Sequence, residues 1–285
     1  MSPGSARALA LVLAATTLAG CGASATSGSD EIALTVTRDF GTEELVALRG
    51  EPVPPSGGLA PIFRRYPNTR GAQSLFVNGI LPDKAASDLE VHGGDRVWLD
   101  QHVAGRAAQI PAVVGSFPEP FLHGVDGKRL PVRVECDDPR AGACAAVADK
   151  LVGLGVVAGR SIISRSAADE TVRILVAPWK RLRGREFEAD SLDAGPRRSG
   201  VHARFDASAR RLLVLDAGGR VARMLGAGTG LIAATRAKGR QPVWFVTGTD
   251  GVGVAAAARA LDESVLSDRF ALAISDDLPV AVPQP

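Results

Sequence analysis

Apolar and polar residues alternate along the first part of the chain in a way that predicts β-strands. Residues 32–37 alternate and are rich in β-branched side chains, and residues 44–48 can return after a turn at 39–41, which predicts a hairpin. Apolar residues at helical spacing across 59–66 predict a short helix. Three further strand-like segments follow, at residues 74–77, 96–100 and 110–114. These elements predict a small sheet with one helix.

Strands and helices alternate in the second part of the chain. An amphipathic helix is predicted at 145–154 after a strand at 132–134, and an alanine-rich helix at 254–261 after a strand at 242–247. The other predicted strands lie at 171–176, 211–216, 220–225 and 269–274, and the middle two form a hairpin. This order is typical of a mixed α/β domain. We therefore expect an α+β chain with one domain at 31–118, a connector at 119–127 and a mixed α/β domain at 128–280.

The N-terminus has the pattern of a secretory signal peptide over residues 1–20. Arg7 precedes an apolar run at 8–18, which is shorter than the roughly 20 residues that a helix needs to cross a bilayer. The following Leu18-Ala19-Gly20-Cys21 resembles the lipobox of bacterial lipoproteins, and this implies cleavage before Cys21 and a diacylglycerol on its thiol. The alternative is an ordinary signal peptide followed by a chance cysteine. Residues 21–30 have the composition of a flexible tether.

Composition and charge exclude two classes of protein. The 285 residues are 46% hydrophobic and 22% charged, which is ordinary for folded domains and excludes a disordered chain. The 33 Lys and Arg residues against 31 Asp and Glu residues give a net charge of +2. So small an excess provides no strong positive field for nucleic acid, which we do not expect as a partner.

The two remaining cysteines predict a disulfide. Cys136 and Cys144 flank a turn-rich stretch, and an exported chain folds where thiols oxidise. So small a ring would stabilise the fold by roughly 2.5 kcal/mol in the chain-entropy treatment. The alternative is a metal site, but two cysteines without a nearby histidine are a poor zinc site.

Four motifs in order carry a family resemblance. They are T-V-T-R-D-F-G at 35–41, F-V-N-G-I at 76–80, G-D-R-V-W-L-D-Q-H at 94–102 and A-V-V-G-S-F-P-E-P-F at 112–121. Together they resemble the transcobalamin-C-terminal-like domains of secreted bacterial lipoproteins, and a weaker likeness extends through 127–136 into the second half. The resemblance implies a β-grasp-like fold for residues 31–118. It implies no reaction, because that family has no settled activity.

Asp100 and His102 are the first candidates for chemistry. They alternate on a predicted strand, so their side chains face the same way and can orient a proton shuttle or hold a metal ion. A third metal ligand is missing from the pattern. Ser116 is a possible nucleophile, but Pro118 and Pro120 favour a rigid extended segment that packs as a connector between the domains.

Two further segments have a functional and a structural interpretation. The loop at 247–253 lies between a strand and a helix, where free amides could bind an anion, although Asp250 or Thr249 capping the helix is the favoured interpretation. The basic run at 180–185 could contact anionic polymers or lipid headgroups, and a charged surface loop is the favoured interpretation. The three tryptophans are interpreted as core or interdomain anchors, at positions 98, 179 and 244.

The sequence contains no G-x-S-x-G elbow, no Walker loop and no H-E-x-x-H motif. We therefore expect a noncatalytic lipoprotein without cofactor or metal, held at the extracytoplasmic face of the cell membrane by lipid on Cys21. It would bind a small molecule or an envelope protein at the cell surface. Candidate ligand-binding residues are Trp98, Asp100, His102, Phe117 and Phe121. The alternatives are an adaptor of an envelope complex and an envelope hydrolase in which Asp100, His102 and Ser116 converge.

Overall fold

The computed structural model describes Met1 and residues 30–69, 71–72, 74–103, 109–164 and 170–284. The predicted signal peptide, the lipidation site at Cys21 and most of the predicted tether lie outside the described residues. Within these ranges, no helix has both the length and the apolar character that a membrane crossing requires. The mixed α+β class is confirmed by the helices and by three sheets of mixed and antiparallel strands.

The first sheet is built from the N-terminal part of the chain, residues 30–118. Its strands are β1 (Glu31–Arg38), β2 (Glu43–Pro52), β3 (Ser74–Val77) and β4 (Arg96–Gln101), and α1 (Ala60–Arg65) lies between β2 and β3 in the chain. The order is β2-β1-β4-β3, with the central pair parallel and both outer pairs antiparallel. Alternate residues of β1, among them Leu34 and Val36, are buried in one cluster with Ile62 of α1. The predicted hairpin, helix and strands at 74–77 and 96–100 are confirmed, and the β-grasp likeness stays a prediction.

The C-terminal part, residues 128–284, forms a seven-stranded sheet. Its strands are β5 (Val132–Cys136), β6 (Ala158–Ile162), β7 (Val172–Pro178), β11 (Gly230–Thr235), β12 (Val243–Gly248), β13 (Ala271–Ser275) and β14 (Leu278–Val282). The order is β14-β13-β11-β12-β7-β5-β6, parallel from β12 to β6 and antiparallel on the other side. The strands predicted at 132–134, 171–176, 242–247 and 269–274 are confirmed.

Both faces of this sheet are covered. One face packs against α2 (Gly142–Gly153) and α6 (Gly251–Arg259). The other face is covered by α3 (Trp179–Leu182), α4 (Phe187–Asp193) and α5 (Pro196–Ser199). It also packs against a small sheet of β8 (Ala203–Phe205), β9 (Leu212–Leu215) and β10 (Val221–Leu225). The last helix, α7 (Glu263–Leu266), follows α6 in the chain. Because both faces are covered, β11 and β12 are apolar at nearly every position instead of alternating.

The strand predicted at 110–114 is wrong. Only Ala112 forms an isolated bridge, to Ile80. The amide of Val113 donates to the carbonyl of Gly79, whereas the amide of Val114 donates to the carbonyl of Phe270 in the C-terminal part. Since the backbone changes partner within a few residues, it forms no ladder with any one strand.

The segment that follows is also not extended as predicted. Its backbone forms consecutive turns, in which Phe117 donates to Val114, Glu119 to Ser116 and Phe121 to Pro118. The side chains at 116–121 are buried, so the predicted packing of this segment does hold. Because the chain turns back on itself here, Phe117 and Phe121 both pack into the apolar cluster on the face of the seven-stranded sheet that α2 and α6 cover.

The disulfide between Cys136 and Cys144 is confirmed, with a Cα–Cα distance of 6.1 Å. Cys136 ends β5, and Cys144 lies in the first turn of α2, so the bond joins the sheet to the helix that covers it. Both sulfur atoms are buried in the same apolar cluster as Val147 and Leu151.

We expect reduction of this disulfide to lower the free energy of unfolding by roughly 2.5 kcal/mol, because the unfolded chain regains the entropy of a small loop. Urea unfolding with and without reductant measures the difference. The double variant Cys136→Ala/Cys144→Ala should give the same curve in both conditions. Equal stability of the native chain in both conditions would contradict the prediction.

Candidate functional site

Asp100 and His102 form a buried hydrogen-bonded pair. Nδ1 of His102 lies 2.6 Å from Oδ1 of Asp100, and the Asp100 side chain has no solvent exposure. His102 follows directly after the end of β4 and is also buried. A carboxylate that fixes the tautomer of a histidine is a common part of an acid–base site.

The remaining lone pairs of Asp100 are occupied by donors from the N-terminal hairpin. Oδ2 accepts from the hydroxyl of Thr37 at 2.5 Å and from the amide of Gly41 at 2.9 Å, and Oδ1 accepts from the amide of Phe40 at 3.2 Å. The indole N–H of Trp98 donates to Thr37 at 2.8 Å. These donors offset the cost of burying a carboxylate. Asp100 therefore fixes the turn between β1 and β2.

That turn has an unusual backbone. Asp39, Phe40 and Gly41 have φ angles of 51°, 58° and 78°, so three consecutive residues are left-handed and two of their amides point at Asp100. A Cβ at Gly41 would lie 1.9 Å from the carbonyl oxygen of Asp268. Only glycine fits, because the turn lies directly against the C-terminal part of the chain.

A second histidine lies beside this pair. The ring of Phe40 stacks on His102 at 4.2 Å and meets the edge of His202 at 5.5 Å. His202 is 2% exposed, and neither of its ring nitrogens has a hydrogen-bond partner at bonding geometry within the described residues. Burial, with a smaller contribution from His102, lowers the pKa of His202 from 6.5 to about 4, and the backbone of Ala217 and the charge of Asp216 partly oppose the shift. His202 is therefore neutral at physiological pH.

Trp98 belongs to an apolar cluster between the two parts of the chain. Its ring meets Phe76 at 5.5 Å and Phe270 at 5.0 Å, and Phe40 joins Phe270 at 5.2 Å. Trp98 is 3% exposed. Its interpretation as an interdomain anchor fits this position, whereas little of its surface is left for a ligand.

Phe117 and Phe121 are placed in the core of the C-terminal part. Their rings lie 6.1 Å and 5.0 Å from that of Trp244, and they are 1% and 0% exposed. The structure therefore separates them from Asp100 and His102 and places them where they pack against β12.

Ser116 does not join the acid–base pair. It lines a hollow of about 100 Å³ together with Arg49, Trp98 and Asp268, and neither Asp100 nor His102 is in that lining. No hydrogen bond links Ser116 to Asp100 or His102 in the described part of the chain. The indole of Trp98 contacts the neighbouring Gly115 on one side and donates to Thr37 on the other. The described residues thus show no hydrogen bond of the kind that joins a hydrolase nucleophile to its base.

The other two histidines are half-exposed, and each contacts a buried carboxylate. His123 Nδ1 lies 2.5 Å from Glu119, and this hydrogen bond raises the pKa of His123. His92 lies 3.7 Å from Asp95, whose pKa is raised by burial. Across the described ranges, no group of three or more His, Cys, Asp or Glu side chains is arranged to hold a metal ion.

The two ambiguous segments have structural roles. Asp250 caps α6 by accepting from the amide of Gly253 at 2.9 Å, so its carboxylate occupies the position that an anion would take, and the capping interpretation is confirmed. In the basic run, Arg183 forms a two-pronged contact with Asp193 at 2.5 Å and 3.0 Å, and Arg181 pairs with Asp137 at 3.3 Å.

A larger concave surface lies between the two parts of the chain. This groove has a volume of about 470 Å³. Its lining includes Asp83 and Gln109 from the N-terminal part and Arg197, Arg198, Arg236 and Lys238 from the C-terminal part. None of the candidate ligand-binding residues lies in this lining.

Sequence reasoning missed the groove. Its cations come from two short basic stretches, at 197–198 and 236–240, and four strands, β8 to β11, lie between them in the chain. Each stretch alone is typical of a solvated loop. The available signal was that the second stretch follows an apolar run at 231–234, but only the fold shows that the two stretches meet.

No family model, no curated protein and no solved structure matches this chain. The resemblance to transcobalamin-C-terminal-like domains therefore stays a prediction. In the structure, one of its motif residues ties loops together: the side chain of Asn78 donates to Asp95 at 2.7 Å and to the carbonyl of Gly124 at 3.0 Å.

The substitution Asp100→Ala should destabilise the fold by about 3 kcal/mol or more, because it leaves the Thr37 hydroxyl, two amides and His102 without their acceptor. Chemical unfolding measures the loss. Ser116→Ala is the matched control and should cost under about 1 kcal/mol. Equal losses of unfolding free energy in the two variants would contradict the stabilising role of Asp100.

Stability should fall as the pH drops from about 6.5 to about 4, and His202 should account for about 3 kcal/mol of that fall. The unfolded chain takes up a proton on this residue near pH 6.5, whereas the folded chain resists it until about pH 4, so protonation favours unfolding in this window.

Unfolding free energies at pH 7 and pH 4 test this contribution. His202→Phe keeps a buried ring without a proton site and should lose about 3 kcal/mol less than the native chain over this range. His92→Gln, a change at a half-exposed histidine, serves as the control. A His202→Phe variant with an unaltered pH dependence would disprove the assignment.

Proposed function

We propose that this protein is exported, held at the extracytoplasmic face of the cell membrane by an acylated Cys21, and binds a small ligand there without transforming it. The observation that carries the binding role is the groove between the two parts of the chain. Its volume of about 470 Å³ falls in the range of small-molecule sites. A concave surface of this size favours a small ligand over a protein adaptor, which would need a flat apolar patch.

The lining of the groove supports a noncatalytic role. It contains four cations, one carboxylate and one amide side chain, and no serine, threonine, cysteine or histidine among the described residues. Such a lining can orient and hold a ligand, but it lacks the serine, threonine or cysteine nucleophile and the histidine base of the common hydrolase sites. The hydrogen-bonded pair of Asp100 and His102 is buried elsewhere, with the carboxylate fully occupied.

Export is supported by two separate features. The disulfide between Cys136 and Cys144 is of a kind that persists in oxidising compartments. The Leu18-Ala19-Gly20-Cys21 sequence supplies the thiol for acylation. Two acyl chains would make the anchor stable, because each buried methylene contributes roughly 0.8 kcal/mol.

Acylation is tested by growing a lipoprotein-processing bacterium that expresses the full chain with an alkyne-tagged palmitate. The native chain should carry the label and sediment with membranes, and Cys21→Ser should lose both properties because no other thiol is free. Cys136→Ala/Cys144→Ala should keep the label. Label on the Cys21→Ser variant, or none on the native chain, would refute the anchor.

The binding role is tested on the same membranes. Native mass spectrometry of the extracted protein should find an unmodified small molecule bound to the native chain and absent from Arg197→Gln/Arg198→Gln. A ligand that stays bound to this variant would show that the groove is not the binding site.

A further inference from the structure

We propose that the groove binds the phosphate group of a small phosphate monoester through Arg197, Arg198 and Lys238. The inference rests on the proposed binding role and names the class of ligand. All three side chains line the groove and are exposed, and none has an ion-pair partner within the part of the chain that the structure describes.

The side chains that line the groove carry more positive than negative charge. Asp83 is the only carboxylate in the lining among the described residues, and it is already paired with Arg236. Three positive charges therefore remain in one concave surface of a chain whose overall net charge is only +2. Such clustering is unfavourable in the empty groove, and its field attracts an anion of more than one negative charge.

The backbone that carries Arg197 and Arg198 is fixed by contacts with β11 and with the N-terminal part of the chain. The hydroxyl of Thr235, at the end of β11, donates to the carbonyl of Ser199 in α5 at 2.7 Å. Gly200 lies so close to the opposite wall that a Cβ there would be 2.5 Å from Pro111 and 2.8 Å from Ile110. The segment with Arg197 and Arg198 is therefore fixed against the N-terminal part of the chain, which lowers the entropy cost of binding.

Arg236 fixes the other wall. Its guanidinium donates to the carbonyl of Leu81 at 2.8 Å and to the carbonyl of Arg240 at 2.7 Å, and it pairs with Asp83. It joins the 81–83 loop to the loop that carries Lys238. Arg236 is thus a positioning residue, and the cations left for a ligand are the other three.

The arrangement favours phosphate over carboxylate. Guanidinium groups bind phosphate and carboxylate by two parallel hydrogen bonds, and an ammonium group acts as a point charge. A phosphate monoester has three terminal oxygens, enough for two guanidinium groups and one ammonium group, whereas one carboxylate has two. The amide of Gln109 lies in the same lining and can bond a hydroxyl of the organic part.

Titration calorimetry of the full mature chain in neutral detergent tests the proposal, with glycerol 3-phosphate as the probe and low salt to limit screening. We expect saturable binding with one site. Arg197→Gln/Arg198→Gln should weaken it at least about tenfold, because two charge-assisted contacts are lost. Arg140→Gln/Arg210→Gln removes the same charge from exposed positions outside the groove and should change the affinity less than about twofold.

Two further arms identify the ligand and its source. Succinate, a dianion without phosphate, should bind at least about tenfold more weakly, and equal affinity would overturn the choice of phosphate. Phosphatidylcholine vesicles with and without phosphatidic acid are tested for protection of Arg197 and Arg198 from phenylglyoxal. Protection only by phosphatidic acid would place the phosphate on a lipid headgroup, and protection by glycerol 3-phosphate would place it on a soluble molecule.

The proposal fails if neither probe binds or protects, or if the groove variant binds as well as the native chain. Its failure is distinguishable from that of the proposed function. If the extracted protein loses its own ligand in Arg197→Gln/Arg198→Gln but ignores both phosphate probes, the binding role stands and the phosphate class is wrong.

Discussion

The hydrogen bonds of the Asp100 carboxylate fix the turn through which the N-terminal part of the chain packs against the C-terminal part. The carboxylate binds two amides of the turn between β1 and β2, and in doing so it holds three consecutive residues in left-handed conformations. Phe40 in that turn then packs against His202 and Phe270 of the C-terminal part. Burying a charged carboxylate is unfavourable, but four hydrogen-bond donors surround this one and offset the desolvation. Because two of these donors are backbone amides, the same hydrogen bonds fix the conformation of the turn. The acid–base pair is thus a structural element.

Several contacts besides the groove walls hold the two parts of the chain together. The apolar cluster around Trp98 and the ion pair of Arg96 with Glu263, at 2.7 Å, join the two parts. Arg236 and Asp83 join them at the edge of the groove. The parts can therefore leave a cleft between them without moving apart, and ligands commonly bind at such junctions.

Much of the fold could be predicted from local patterns. The hairpin, the strand before α6 and the disulfide follow from alternation, turn residues and spacing within a few residues. β6 has no such pattern, because it lies at the sheet edge, has no buried residue and does not alternate. The apolar pattern at 110–114 does not predict its structure, because an apolar segment can divide its hydrogen bonds among several partners. The core positions of Phe117 and Phe121 also do not follow from the sequence, because an aromatic ring can equally line a ligand site or pack against a core residue such as Trp244. The groove could not be predicted, since its cations become neighbours only through the tertiary fold.

The contact of Gly200 with Pro111 and Ile110 has an evolutionary consequence. The backbone of Gly200 lies against the ring of Pro111 and the Cα of Ile110, so the spacing of the walls on this side does not depend on Arg197, Arg198 or Lys238. Replacement of one of these three cations would alter selectivity while preserving the aperture, whereas replacement of Arg236 would remove contacts that hold the other wall. The ligand that is recognised can thus change by substitution at those three positions, whereas any other residue in place of Gly200, with its φ of 74° and no room for a Cβ, would be strained.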